Sequence, residues 1–108
     1  MENTSDIKPL VERARKILHT VYGNRLKGVV LYGSAARGDM SLGSDIDLLV
    51  LLTPPISLGR ELRTIIKALY PLQLETDCPI HAMPIDENAY QAGESSWYRN
   101  AKEDGILV

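Results

Sequence analysis

The chain has 108 residues, of which 44% are hydrophobic and 24% charged, proportions that allow a buried core and exclude a disordered tail. Its 12 Lys and Arg against 14 Asp and Glu give a net charge of -2, which argues against strong nucleic-acid binding. The single cysteine excludes an internal disulfide framework, and no apolar run is long enough to span a membrane. We therefore expect one domain over residues 1–108, located in the cytoplasm.

The first predicted element is a helix. Its apolar residues recur every three or four positions from Ile7 onward. Ser5 or Asp6 is expected to cap this helix, which places Pro9 in its first turn. Gly23 is expected to end it.

Two short aliphatic runs, Leu26–Tyr32 and 45–52, predict buried strands. Residues 35–37 between them predict a short helix. A second long helix is expected to begin after Ser57 and to end or kink at Pro71.

The last third of the chain predicts one strand and two helices. Residues 79–85 form the strand, Asp86 caps a short helix, and Ser95 or Ser96 caps a final helix that Gly105 follows. The order of elements is α-β-α-β-α-β-α-α. This order predicts an α/β (α+β) domain with a small sheet.

The turn after the first strand carries residues suited to binding an anion. Gly33 permits a sharp turn that brings the backbone close to a ligand. Ser34 offers a hydroxyl at a helix start, where free N–H groups attract phosphate, and Arg37 lies one turn further on. These three residues predict a phosphate-binding loop.

The second strand carries a pair of carboxylates. Asp45 and Asp47 are two positions apart, so the strand period places them on one face, about 6.5 Å apart along the strand. Such carboxylates repel each other unless a cation lies between them. Mg²⁺ is the natural cation because it prefers oxygen ligands and often binds one or two carboxylates together with substrate phosphates.

The two motifs together carry a family resemblance. Gly33-Ser34 followed by Ser44-Asp45-Ile46-Asp47-Leu48 resembles the signature of the DNA polymerase β-like nucleotidyltransferase superfamily. Ala36-Arg37-Gly38 and the short length resemble its minimal nucleotidyltransferase branch. The layout is similar over nearly the whole chain, whereas the specific part covers residues 33–50.

The resemblance implies a nucleotidyltransferase fold, with a small mixed β-sheet backed by helices. It also implies divalent metal, Mg²⁺ or Mn²⁺, on Asp45 and Asp47. The nucleotide phosphates, from ATP or another nucleoside triphosphate, are then expected at Gly33, Ser34, Arg37 and Ser44.

One position departs from the superfamily pattern. Its members usually carry a third acidic residue at the start of a later strand, and the corresponding position here is His81. A neutral imidazole can act as a base, but it suits Mn²⁺ better than an all-oxygen Mg²⁺ site. An incidental strand residue without a catalytic role is the equal alternative for His81. Asp77 and Glu75, just upstream, are the alternatives for the third carboxylate if the backbone bends.

The expected activity is metal-dependent transfer of a nucleoside monophosphate, with AMP from ATP as the first choice, to an acceptor on a partner protein. The resemblance implies a HEPN-family ribonuclease toxin as that partner, with this chain as its antitoxin. The alternative, which His81 favours, is a non-catalytic module that binds a nucleotide or a partner. A nucleic acid-extending enzyme is disfavoured by the acidic composition.

Overall fold

A computed structural model describes residues 4–33, 36 and 45–108 of the chain, with side chains from residue 7 onward. The elements, in chain order, are α1 (Thr4–Tyr22), a 3₁₀ turn (Gly23–Arg25), β1 (Leu26–Tyr32), β2 (Ile46–Leu52), α2 (Leu58–Gln73), β3 (Ile80–Asp86), α3 (Glu87–Ala92), α4 (Ser96–Asp104) and β4 (Ile106–Leu107). None of the described helices is both long and apolar enough to cross a membrane.

The described strands form one mixed sheet in the order β3-β2-β1-β4. β1 runs antiparallel to β2 and to β4, whereas β2 and β3 are parallel and are connected through α2. This arrangement confirms the predicted α/β (α+β) class and the small mixed sheet backed by helices.

The sheet has a different apolar core on each face, because successive strand residues point to opposite sides. Helices α1 and α2 cover one face, and the larger core lies beneath them. That core includes Leu18 of α1, Ile65 of α2, and Leu48 and Val50 of β2. A smaller core on the other face consists of Val30, Leu49, Leu51, Ile85, Tyr90 and Ala101.

The strand predictions hold closely, with one omission. β1 has the predicted bounds, while β2 and β3 each begin one residue later than predicted, at Ile46 and Ile80. β4 was not predicted, because two residues are too few for an alternating pattern to be detected. The turn into β4 requires Gly105, since a Cβ there would lie 2.6 Å from Val30 Cγ1.

Two predictions about the long helices are wrong. α1 begins at Thr4, so Ser5 and Asp6 lie inside the helix and Pro9 falls in its second turn. Pro71 does not end α2, because the helix continues to Gln73, and the alternative of a kink at Pro71 stays a prediction. A proline in the last turn removes a single backbone hydrogen bond, a loss that the packed helix tolerates.

The short helices begin as predicted. The Asp86 carboxylate accepts hydrogen bonds from the backbone N–H groups of Asn88 and Ala89, at 2.8 and 3.1 Å. The Ser95 hydroxyl accepts one from Tyr98 at 3.1 Å. The helix predicted over residues 35–37 lies outside the described residues except for residue 36, which is helical.

Among the described residues, Glu61 in the first turn of α2 is the one buried charged side chain, with 3% of its surface exposed. Its carboxylate accepts hydrogen bonds from the Tyr22 hydroxyl at 3.0 Å and from the Arg25 guanidinium at 3.2 Å. Arg25 also donates to the carbonyl oxygens of Thr53 and Pro55, at 3.2 and 3.0 Å. The cluster therefore joins the ends of α1 and β2 to the start of α2.

These contacts change the ionisation of both acidic groups. Burial alone would raise the pKa of Glu61, but the hydrogen bonds from Tyr22 and Arg25, the charge of Arg25 and a backbone hydrogen bond at Ser57 hold it below its usual value. Burial, followed by the Glu61 carboxylate, raises the pKa of Tyr22 to about 12. Glu61 is therefore charged and Tyr22 neutral at pH 7.

We expect Glu61→Ala to lower the free energy of unfolding by about 2 kcal/mol, because it removes hydrogen bonds to a charged group and leaves Tyr22 without its acceptor. Glu61→Gln keeps the acceptor oxygen, so its loss should be about half as large. Urea denaturation of both variants measures the difference. Equal stability of Glu61→Ala and the native chain would show that this cluster does not hold the helices to the sheet.

The stability contribution of Glu61 should also depend on pH. Because the folded-state pKa of Glu61 lies below its unfolded value, the contribution is complete above the unfolded pKa and is lost as pH falls through the folded pKa. Urea midpoints measured between pH 7 and pH 3 should therefore fall more steeply for the native chain than for Glu61→Gln. Parallel curves would contradict the lowered pKa.

Candidate active site

Three neighbouring strands place side chains in one row on the sheet face opposite α1 and α2. Asp47 of β2 pairs with Tyr32 of β1 on one side and with His81 of β3 on the other. Residues in register on adjacent strands point to the same side of the sheet. The row thus lies where β1 ends and where β2 and β3 begin.

Asp45 joins this row from just outside β2. Its carboxylate oxygen Oδ2 lies 3.2 Å from His81 Nε2, and both side chains are exposed. The chain here is fixed by a backbone hydrogen bond of 2.8 Å, in which the Ile46 N–H donates to the Pro79 carbonyl oxygen. The start of β2 is therefore tied to the start of β3, which keeps Asp45 beside His81.

Gly33 allows the turn after β1 to pass directly over the Asp47 carboxylate. Its φ is +77°, a conformation that favours glycine, and a Cβ would lie 2.7 Å from Asp47 Oδ2. The Ala36 N–H donates to the Gly33 carbonyl oxygen at 3.1 Å and closes the turn. The close contact of Gly33 in this structure is with Asp47, whereas its approach to a ligand stays a prediction.

The two carboxylates differ in their electrostatic environment. Burial and then the nearby charge of Asp45 raise the pKa of Asp47, whereas His81 acts in the opposite direction. A positive ion between the carboxylates would relieve both the burial cost and the repulsion. In the described part of the chain, no three His, Cys, Asp or Glu side chains form a metal-holding group, but a carboxylate pair suits Mg²⁺ that is also bound by substrate phosphates.

The structure brings together four of the predicted site residues: Gly33, Asp45, Asp47 and His81. The other three, Ser34, Arg37 and Ser44, lie outside the described residues. Tyr32 was not predicted, although its place at the end of β1, immediately before Gly33, was available in the sequence.

Glu75, an alternative for the third carboxylate, is engaged elsewhere. Arg13 of α1 donates two hydrogen bonds to it, at 2.6 and 2.8 Å. This bidentate pair lowers the pKa of Glu75 through the hydrogen bonds and charge of Arg13. Asp77 is exposed in the bend before β3 and belongs to no metal-holding group of described residues. His81 is the side chain in register with Asp47.

The segment that delivers His81 is held by a side chain that sequence reasoning missed. Gln73, in the last turn of α2, donates to the Cys78 carbonyl oxygen at 3.0 Å and accepts from the Ile80 N–H at 2.7 Å. The Cys78 N–H in turn donates to the Thr76 hydroxyl at 3.1 Å. A polar residue at a helix end gives no sequence signal for such a contact, because the partners are backbone groups.

A mixed sheet with a glycine turn beside an aspartate pair is the arrangement of a nucleotidyltransferase fold. The chain belongs to the nucleotidyltransferase domain family, whose model matches residues 11–107. A crystal structure of a candidate nucleotidyltransferase from Sulfolobus solfataricus has the same fold, with a TM-score of 0.62 and 19% identity. The match covers 96% of this chain and 80% of that chain.

Three similar sequences come from Methanocaldococcus jannaschii, and each is named as a candidate protein adenylyltransferase. The first is 38% identical over 58 residues, covering 54% of this chain and 57% of the relative. The second is 40% identical over 50 residues, covering 46% and 48% respectively. A third is 33% identical over 72 residues, covering 67% and 72%. The chain thus spans about half the length of the first two relatives.

Two glycines with positive φ offer a matched test of the Gly33 turn. Gly33→Ala and Gly23→Ala both place alanine in the left-handed region, which should cost each variant about 1 kcal/mol of unfolding free energy. Only Gly33→Ala also forces the Asp47 carboxylate to rotate, because open space surrounds Gly23.

We therefore expect Gly33→Ala alone to weaken the binding of Mn²⁺ with ATP, by about tenfold or more, since metal sites depend on ligand orientation. Urea denaturation and isothermal titration calorimetry measure the two effects. Undiminished binding by Gly33→Ala would show that its contact with Asp47 is structural only.

Proposed function

We propose that this chain transfers a nucleoside monophosphate, AMP from ATP, to a hydroxyl group on a partner protein. The observation that carries the proposal is the row of Asp47 and His81 with Asp45 beside them, directly under the Gly33 turn. Membership of the nucleotidyltransferase domain family supports the reaction class. The names of the relatives support adenylyl transfer to protein.

Asp45 and Asp47 are the residues that would hold Mg²⁺ or Mn²⁺. When bound, the metal neutralises charge on the triphosphate and increases the acidity of the attacking hydroxyl. The raised pKa of Asp47 supports this role, because burial and the Asp45 charge leave its carboxylate in need of a cation. Gly33 with Ser34, Arg37 and Ser44 would hold the phosphates through backbone N–H groups, hydroxyls and a guanidinium.

The transfer itself needs an in-line displacement at the α-phosphorus of ATP. The acceptor hydroxyl oxygen forms a bond to that phosphorus, and the bond to the pyrophosphate oxygen breaks. The hydroxyl proton leaves to a base. His81 stands in register with Asp47 and next to Asp45, so its imidazole is the group we assign to receive the proton.

The finer identity of the partner follows from the family resemblance. Minimal nucleotidyltransferases often act beside a HEPN-family ribonuclease toxin, on which they modify a tyrosine. We propose that the acceptor here is such a toxin and that the chain acts as its antitoxin. A toxin that carries AMP on a tyrosine would then identify the toxin and this chain as partners.

A second candidate function is supported by one observation, the histidine at the position of the third carboxylate. A chain with Asp45, Asp47 and His81 could bind a nucleotide or a partner without transferring anything. ATP binding without transfer would be the sign of this module.

The transfer should be detectable with α-labelled ATP. Purified chain, Mg²⁺ or Mn²⁺ and an extract of the source cells should give one labelled protein band. We expect Asp45→Asn/Asp47→Asn to reduce labelling by at least about 100-fold, because it removes the charge that holds the metal. Asp104→Asn, which changes an exposed carboxylate at the end of α4, should label normally.

Three outcomes separate the candidate functions. A band that requires Asp45 and Asp47, and whose modified peptide carries AMP on a tyrosine, supports transfer to protein. ATP binding by calorimetry without any band favours the non-catalytic module. The absence of both labelling and ATP binding would contradict nucleotide transfer and nucleotide binding alike.

His81 has an alternative role, as a metal ligand in place of the base, and that role predicts a metal preference. Imidazole nitrogen is a better ligand for Mn²⁺ than for Mg²⁺, so the native chain should label its acceptor faster with Mn²⁺. His81→Asp supplies a third carboxylate and should shift the ratio of the two rates toward Mg²⁺ by about tenfold, whereas His81→Ala should lower both rates. An unchanged ratio in His81→Asp would place His81 outside the metal site.

A further inference from the structure

An apolar row runs along α2 as far as its C-cap residue Leu74, and all its members except the half-buried Leu62 are exposed. Its members recur at every fourth position, and we call them the α2 ridge: Leu58, Leu62, Ile66, Tyr70 and Leu74. The exposed fractions of Ile66, Tyr70 and Leu74 are 64%, 59% and 69%. Single exposed apolar residues are ordinary on a protein surface, whereas a contiguous row marks a surface that another molecule covers.

The core does not account for the ridge, because a different stripe of α2 packs on the sheet. Ile65, Leu69 and Leu72 are at most 4% exposed and belong to the core shared with α1. The helix is therefore apolar on two sides. A helix that served only its own domain would carry polar residues on the side facing water.

The exposed charges of α2 all have the same sign. Arg60, Arg63 and Lys67 are exposed, whereas the acidic residue of the helix, Glu61, is buried against Arg25. Arg63 and Lys67 lie beside the ridge, because residues three or four apart share a helix face. A basic border on this surface contrasts with the net charge of -2 for the whole chain.

Of the acidic residues that follow α2, Glu75 is already paired with another basic residue. Glu75 and Asp77 come after the last turn of the helix. Glu75 is held by the bidentate contact from Arg13 of α1. Glu75 is therefore engaged by α1 and not by the basic border of α2.

The geometry of the row also indicates the shape of its partner. Side chains at every fourth position form a ridge that packs into the groove of a facing helix. A second copy of this chain is a poor occupant, because a two-fold contact through α2 would bring two basic borders together. An amphipathic helix with acidic residues beside its apolar stripe satisfies both the shape and the charge.

We propose that the α2 ridge is the docking surface for such an acidic amphipathic helix, carried by the protein that accepts the nucleotide. The identity of the docked protein as the acceptor rests on the proposed function, whereas the docking itself does not. Docking there supplies affinity for the acceptor on a surface separate from the aspartates.

The surface adjoins the candidate active site around one sheet edge. α2 packs on the face opposite the aspartates, and a shallow cleft of about 80 Å³ separates Ile66 and Tyr70 from Ile80 and Ala82 of β3. β3 is the edge strand that also carries His81 on its other side. A protein seated on the ridge therefore needs to reach around one strand to present a hydroxyl.

The first test introduces the photocrosslinker p-benzoylphenylalanine at position 66, and at position 102 of α4 as an exposed control, in the source cells. We expect position 66 to crosslink to one protein, through a segment with an apolar stripe and flanking Asp or Glu. The same protein should be the band labelled from ATP. Crosslinks from position 66 to a second copy of this chain would overturn the docking proposal. It would also be overturned if position 66 gave only the crosslinks that position 102 gives.

The second test measures the affinity of the crosslinked segment, synthesised as a fluorescent peptide, by anisotropy. Ile66→Ser/Tyr70→Ser and Arg63→Glu/Lys67→Glu should each weaken binding at least tenfold. Replacing the acidic residues of the peptide with lysine should restore its binding to the charge variant. Two controls should leave binding unchanged: Val21→Ser/Leu107→Ser for exposed apolar residues and Lys8→Glu/Lys16→Glu for basic ones.

The catalytic variant keeps the two proposals separable. Asp45→Asn/Asp47→Asn should bind the peptide normally and transfer no nucleotide, so docking stands even if transfer fails. If the protein labelled from ATP differs from the crosslinked protein, the docked protein is not the acceptor. Unchanged peptide binding by both ridge variants would overturn the ridge itself, whatever the labelling shows.

Discussion

The two-residue period of β2 is the constraint on which the rest of the molecule depends. Its even-numbered residues, such as Leu48 and Val50, bury their side chains under α1 and α2. Its odd-numbered residues point the other way, so Asp47 lies on the face opposite α1 and α2, beyond the smaller core that contains Leu49 and Leu51. A shift of register by one residue would bury a carboxylate and expose the core. The packing of the even-numbered residues beneath the helices therefore also fixes the position of Asp47 on the opposite face.

The sequence allowed the site to be predicted wherever the signal was local. Gly33, Asp45 and Asp47 each follow or begin a short aliphatic strand, and β-sheet alternation is regular enough to place them without a structure. His81 was expected at the position of a third carboxylate, and the parallel pairing of β2 and β3 places it in register with Asp47. The β-strand period and strand order together account for this part of the site.

Contacts between distant residues could not be predicted in the same way. The Glu61 cluster and the Arg13–Glu75 pair join residues that are far apart in the chain. Their residue types are ordinary for a protein surface, so the sequence does not indicate which of them pair. β4 gives too short a pattern, and the continuation of α2 past Pro71 depends on packing in its last turn. The apolar positions of α2 can be read from its sequence, but only the fold shows that Ile65 and Leu69 are buried whereas Leu58 and Ile66 are exposed.

The edges of the sheet have a consequence for the way this chain can associate. β3 is an edge strand, yet Pro84 provides no backbone N–H and the Ile80 N–H is already occupied by the Gln73 side chain. The opposite edge, β4, is only two residues long. The short length of β4 and the missing donors of β3 oppose the addition of a further strand, which is the usual route from a small exposed sheet to amyloid-like aggregation. The chain can thus display an apolar helix surface at high concentration without a neighbouring edge that would template β-polymerisation.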